Sequence, residues 1–172
     1  LMNFCLLTVF VHVVPYAMDA GIDGVTAATI ISVIGGVSIV SKVATGAAID
    51  RLGNKPVAIM VTSLMFLSMV VIQLSDSLGA LYLFSLVFAL AYGGFAAMES
   101  PYVAELFGLK DHGVIFGFSI FIMGAGALGP VVAGKIFDAT SSYRLAFVML
   151  ALLSFLTILL ALGVKKTDRP VS

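Results

Sequence analysis

Charge is what this sequence has least of. Only 10% of its 172 residues are Asp, Glu, Lys or Arg, whereas 61% are hydrophobic. A soluble globule carries about 25% charged residues, so there is too little polar surface here for one. A mean hydropathy of +1.18 points instead to a polytopic membrane protein. Nine basic residues balance nine acidic ones, leaving no positive field for nucleic acid. The single cysteine, Cys5, excludes an intrachain disulfide and a cysteine-rich metal site. Leu1 already lies in an apolar run, with no basic n-region or cleavage motif of a secretory leader; a missed start or a piece of a longer chain is expected. Catalytic patterns are absent as well: no Cys/His metal spacing, no Gly-Lys-Ser/Thr phosphate loop, no serine and histidine in a recognisable motif. The Gly-x-Gly at 124–126 is followed by apolar helix, which makes a nucleotide loop a weak reading. No enzyme, cofactor or metal centre is expected.

What the chain does have is length in its apolar runs. A span takes about 20 apolar residues, and turn signals cut the sequence into six: 2–18, 25–49, 56–73, 79–104, 113–135 and 144–164, followed by a polar tail, 165–172. Lipid gives backbone groups no partner outside the segment, and the runs lack strand-like alternation, so each reads as a helix. The expected fold is an all-α membrane bundle. Basic residues orient it: Arg51, Lys55, Lys110, Lys165, Lys166 and Arg169 lie on one side and only Lys135 and Arg144 on the other, placing both termini in the cytoplasm. Tyr16, Tyr82, Tyr102 and Tyr143 fall near helix ends as interfacial anchors, with Tyr92 near mid-helix. Gly36, Gly46 and Asp50 recur as Gly124, Gly134 and Asp138. The two aspartates lie on opposite sides, so two inverted three-helix repeats, 1–76 and 77–164, are expected, a known transporter plan.

Several polar residues sit where lipid tolerates them poorly. Lys42 lies eight residues before Asp50, about 12 Å along the helix. It reads as a ligand for an anionic substrate, against the blander readings of snorkelling or a structural ion pair. Ser38 and Thr45, at i−4 and i+3, are expected to share its face. Glu99, on a stripe with Ser85 and Tyr92, is expected to pair with Lys42, to titrate in proton coupling, or to hold the inner end shut. His12, with Thr8, Tyr16 and a kink at Pro15, either binds a carboxylate or bonds a neighbouring helix; His112 receives no role. Gly126, Gly129, Pro130 and Gly134 read as close packing or as a hinge. Helices three and six carry little polarity and are expected to face lipid, leaving one, two, four and five around a cavity.

These residues also resemble a known family. GAAIDRLGNK, with Gly46, Asp50, Arg51, Gly53 and Lys55, is similar to the charged loop of the major facilitator superfamily. The run Gly129, Pro130, Gly134, Asp138, Thr140, Tyr143 resembles the end of the eleventh helix in its monocarboxylate transporter and oxalate/formate antiporter branch. The stretches around His12-Val-Val-Pro15-Tyr16 and Glu99-Ser-Pro101 through Gly108 are similar to bacterial members of that branch.

The resemblance implies twelve helices in two halves, alternating access, and a small carboxylate moved with a proton or in exchange. The present chain would be the second half, in a bacterial inner membrane, its first half being the missing partner. It further implies that Lys42 stands where the branch places a substrate-binding arginine, keeping the charge but losing the bidentate fork. Ser38 replaces an aspartate, and no lysine occupies the centre of helix five, Lys135 being at its end, which argues against oxalate. His12, Tyr16, Ser38 and Tyr92 complete the expected substrate set. Asp50, Arg51 and Lys55 would form a latch with a carboxylate such as Glu105. A self-contained six-helix homodimer and a non-transporting membrane subunit are the alternative readings.

Overall fold

The computed structural model describes residues 1–74 and 77–164. The tail 165–172, with three of the six basic residues used for orientation, and Ser75 and Asp76 lie outside the described residues. Seven α-helices follow in order: α1 (Met2–Asp19), α2 (Gly24–Leu52), α3 (Asn54–Gln73), α4 (Leu78–Phe107), α5 (His112–Met123), α6 (Leu128–Thr140) and α7 (Arg144–Gly163). A 3₁₀ turn, Gly124–Ala127, joins α5 to α6, so both belong to one span, His112–Thr140, and six spans result. Among the described residues there is no strand.

Local chemistry sets the helix ends. Asp23 Oδ1 caps α2 by accepting from the backbone N–H of Val25 at 3.1 Å and of Thr26 at 3.0 Å. Gly53 (φ +84°) and Gly108 (φ +83°) end α2 and α4 in a region that side chains rarely adopt. Pro56 falls in the first turn of α3, where its missing N–H costs nothing. α1 runs unbroken through Pro15, and α4 through Pro101.

Hydrogen bonds from Thr26, side chain first and backbone second, hold the Asp23 carboxyl below the usual aspartate range. A lowered folded-state pKa gives stability that is present above the unfolded value and lost as pH falls through the folded one. Acidification should therefore fray the start of α2, read as faster hydrogen exchange at Val25 and Thr26. Asp23→Asn, compared at the same pH values, should lose that pH step.

α4 is the central element. It packs along α2 and α3, α3 packs in turn on α7, and α1 lies against α6, the 3₁₀ turn, α2 and α7. α3 is therefore sandwiched, with Val57, Val61, Met65, Met69 and Ile72 buried; only one edge of it, carrying Met60 and Leu67, turns outward. The barest span is the fifth: α5 contributes no buried residue.

Two pairs of glycines let neighbouring helices approach closely, and they are not the glycines of the sequence repeat. A Cβ on Gly93 would stand 2.5 Å from the Ser38 carbonyl oxygen, and one on Gly94 2.6 Å from Val61. Gly126 and Gly129 do the same against α1: a Cβ would lie 2.9 Å from the Phe4 nitrogen and 2.6 Å from the Phe4 oxygen, respectively. Gly36, Gly46 and Gly124 face open space. Three of the tyrosines near helix ends also turn toward neighbouring elements. The Tyr16 hydroxyl donates to the Ile72 carbonyl at 3.0 Å, Tyr82 bonds Thr29 at 2.7 Å, and Tyr143 is only 8% exposed.

Candidate functional site

Lys42 is exposed on α2, beside Val43, which is 74% exposed. Its Nζ lies over the ring of Tyr92 on α4, 5.8 Å from the centroid, within the range of a cation–π contact worth about 0.5–1 kcal/mol at exposed sites. Phe10 of α1 meets the same ring edge-on, with centroids 5.0 Å apart. Three helices thus converge on one aromatic platform that carries a cation. Among the described residues no carboxylate stands within ion-pair distance of Lys42.

The polar residues expected around Lys42 are elsewhere. Ser38, Ser41 and Thr45 are buried and face α4. Ser38 Oγ donates to the Gly35 carbonyl at 2.8 Å, and Ser41 Oγ donates across to the Leu90 carbonyl at 2.7 Å. The buried stripe of α2 is Ala27, Ile30, Ile34, Ser38, Ser41 and Thr45, and Lys42 lies just past its edge. Ser85 is likewise internal, bonding the Leu81 carbonyl of its own helix at 2.8 Å, so the polar stripe of α4 opens outward only from Tyr92 onward. The small residues at 38, 41 and 45 were visible in the sequence as a close-packing signal facing Gly93 and Gly94.

Glu99 is half-buried and has no hydrogen-bond or ion-pair partner among the described residues; the expected bond to Lys42 is not formed. It lies seven residues past Tyr92 on the same face of α4, about 10 Å along the axis.

His12 and Tyr16 are engaged within the bundle rather than open to a ligand. His12 Nε2 donates to the Pro130 carbonyl at 2.9 Å, which leaves Nδ1 to accept from the Tyr143 hydroxyl at 3.3 Å. Tyr143 stacks on Phe137, with centroids 4.3 Å apart. Burial first, then Asp19 and Asp138, hold its phenol above the usual tyrosine range. His12 thus bolts α1 to α6 and to the start of α7. Gly134 touches its Cε1 at 3.8 Å, which is ordinary contact. Asn3 Nδ2 donates to the Met123 carbonyl at 2.8 Å, capping α5 where the 3₁₀ turn begins. Gly126, Gly129, Pro130 and Gly134 therefore pack against α1, and the irregular backbone at Gly124–Ala127 is the break in the span.

At the end of the bundle that carries the charged turn, Glu105 accepts from Asn54 Nδ2. The partner expected for Glu105 was Arg51 or Lys55, and it is the neutral amide between Gly53 and Lys55 instead. Asp50 and Arg51 are exposed, Lys55 is half-buried, and none forms an ion pair among the described residues. Asn54→Ala should destabilise the bundle by about 1 kcal/mol in a denaturation assay, and Lys55→Ala by less. A larger loss at Lys55 would return the clasp to the cation. His112, given no role, opens α5 and bonds Ser100 at 3.1 Å.

The described residues thus form an all-helical bundle of membrane-spanning length, with the Lys42 cation on an aromatic platform part-way along α2. The chain belongs to the Major Facilitator Superfamily, whose family model matches residues 1–172. It is similar to the agnestins efflux protein AgnL12 of Paecilomyces divaricatus, 29% identical over 132 residues, covering 76% of this chain and 30% of that protein. It is equally similar to monocarboxylate transporter 3 of Rattus norvegicus, 29% over 152 residues, 86% of this chain and 31% of the relative. Monocarboxylate transporter 12 of Homo sapiens is 28% identical over 148 residues, 81% and 28% of the two chains. The chain spans about a third of the length of these relatives.

Proposed function

We propose that these residues form the second six-helix half of an alternating-access carrier for small carboxylates, completed by a first half of similar size. The observation that carries this reading is the Lys42 ammonium over Tyr92 with no carboxylate beside it among the described residues. An intramembrane charge without a partner is a binding-site hypothesis in its own right, and a carboxylate is the ligand that compensates it. The names of two relatives, both monocarboxylate transporters, support the same substrate class. Direct contact falls to Lys42 and Tyr92; His12 and Tyr16 steady α1 behind them, and Ser38 lets α2 and α4 close up beneath them.

The rest of the carrier follows the transporter plan. The two three-helix units, 1–76 and 77–164, rock with the bundle around the site, and the 3₁₀ break at Gly124–Ala127 lets α5 bend relative to α6. Asp50, Arg51 and Lys55, which form no ion pair among the described residues, form the latch with the other half. Both ends of this segment face the cytoplasm. The bacterial inner membrane expected from the motif resemblance draws no support from the relatives named above, which are eukaryotic. The test is uptake of labelled lactate, pyruvate, formate and oxalate into vesicles holding the intact protein, at two pH values. Saturable uptake of the monocarboxylates, with oxalate poorly taken, is the expected result, and its pH dependence measures whether a proton travels with the anion. Absence of uptake of all four removes the substrate class.

A further inference from the structure

The end of the bundle opposite the charged turn carries another cation without a partner. Arg144 opens α7 and is exposed. Asp19 and Asp138 stand near enough to the adjacent Tyr143 to act on its phenol. Yet among the described residues no carboxylate forms an ion pair with the Arg144 guanidinium. The charge is therefore available to a ligand.

Two hollows meet at this residue. One, of about 440 Å³, is lined by Tyr16, Gln73, Leu74, Ser142, Arg144 and Phe147. Its polar groups are rich in donors. Gln73 spends one amide N–H on the Met69 carbonyl at 2.8 Å and keeps the other. Ser142 Oγ accepts from the Arg144 backbone N–H at 3.2 Å and keeps its own O–H. No carboxylate lines this hollow among the described residues, so it suits an oxyanion. The other hollow, of about 330 Å³, is more open and is formed by Thr140, Ser142, Arg144, Leu145 and Val148. Arg144 and Ser142 belong to both, so the two spaces adjoin. From Leu145 an apolar stripe continues down α7 through Val148, Leu152, Leu156 and Leu159, all exposed except the half-buried valine. The stripe runs about 21 Å along the axis, more than the ~15 Å of hydrocarbon in one leaflet.

An oxyanion beside a hydrocarbon tail is the chemistry of a phospholipid. A soluble anion fills only the first hollow, and an arginine that merely snorkels to the interface needs neither. We propose that Arg144, Gln73 and Ser142 bind the phosphate of a glycerophospholipid, one of whose acyl chains lies along α7. The site is independent of the carboxylate-carrier reading and stands or falls without it. Basic pockets between membrane helices bind lipid head groups. The planar guanidinium grips two phosphate oxygens at once, which a lysine in its place would not. A lipid held there joins the end of α3, through Gln73, to the start of α7.

The experiment titrates the intact purified protein in detergent with palmitoyl-oleoyl phosphatidylethanolamine and with phosphatidylglycerol of the same chains. Two fragments serve as comparisons: palmitoyl-oleoyl glycerol, which lacks the phosphate, and glycerophosphate, which lacks the chains. Native mass spectrometry reads the complexes of the wild type, Arg144→Gln, Arg144→Lys and Lys135→Gln. Both phospholipids should bind roughly tenfold or more tighter than either fragment, the worth of one hydrogen bond to a charged group. Arg144→Gln should remove that advantage and Arg144→Lys should keep part of it. Lys135→Gln alters an exposed cation that borders neither hollow, and should keep all of it. Equal binding of phospholipid and palmitoyl-oleoyl glycerol overturns the proposal, as does an advantage that survives Arg144→Gln or falls as far in Lys135→Gln. Glycerophosphate binding as tightly as the phospholipids overturns it in favour of a small soluble anion. If Arg144→Gln does not fold, phenylglyoxal labelling of Arg144 in the wild type decides the matter. Phosphatidylethanolamine should slow the labelling and palmitoyl-oleoyl glycerol should not; no difference between them overturns the proposal.

Discussion

On the carboxylate-carrier proposal, replacing Lys42 with alanine should abolish carboxylate uptake by the intact protein while leaving its insertion in the membrane unchanged. Removing one partner of a desolvated charge pair costs about 2–5 kcal/mol, and each 1.4 kcal/mol is tenfold in affinity, so binding should weaken by roughly 30-fold to several thousand-fold. Lys42 packs into no core position and is exposed beside Val43, which is why folding should survive its loss. Lys42→Arg keeps the charge and should retain part of the activity; Lys42→Met keeps the stem and should retain none. Tyr92→Leu removes the platform only, at about 0.5–1 kcal/mol, so its effect should be several-fold. Labelled uptake together with a surface-expression assay checks all four. Near-normal uptake by Lys42→Ala would return the lysine to a snorkelling role.

Gly93→Val should prevent the bundle from assembling. The added Cβ would stand 2.5 Å from the Ser38 carbonyl oxygen and 2.7 Å from the Ser41 Cβ, and a backbone atom cannot swing aside as the end of a long side chain can. Overpacking a filled core costs about 1–3 kcal/mol. Here the two helices must also part, with loss of the Ser41 bond to Leu90 and of the platform geometry at Lys42. Gly36→Ala is the comparison: it faces open space and relieves the helix of a glycine, worth up to about 1 kcal/mol. Thermal unfolding in detergent should separate the two variants clearly, and similar melting temperatures would mean that α2 and α4 are not held by this contact.

Composition and periodicity were enough for the class of fold. Six apolar runs of spanning length admit only helices in lipid, and the structure ends them close to the turn signals, with Gly53 and Gly108 closing α2 and α4. The position of Lys42 along α2 was also legible, because rise per residue converts its sequence distance from Asp50 into distance along the helix axis. What could not be read was which way a residue faces when it sits at the border of a packed stripe. Ser38 and Thr45 differ from Lys42 by only a fraction of a helical turn, yet α4 covers them and leaves the lysine out. The partner of Glu105 was mistaken for a similar reason. Charge alone favours Arg51 or Lys55, but the turn geometry set by Gly53 presents Asn54.

The amino-acid sequence by itself determined that the chain lives in a membrane, crosses it six times, and keeps a cation part-way through. Each of these follows from transfer free energies and helix rise, which are local properties. Only the tertiary structure decided that Lys42 rests on Tyr92, that Glu99 stands apart from it, and that His12 is spent on Pro130 and Tyr143. Those pairings join residues on different helices, and they depend on the rotation and offset of one helix against another. Close approach at Gly93, Gly94, Gly126 and Gly129 sets both.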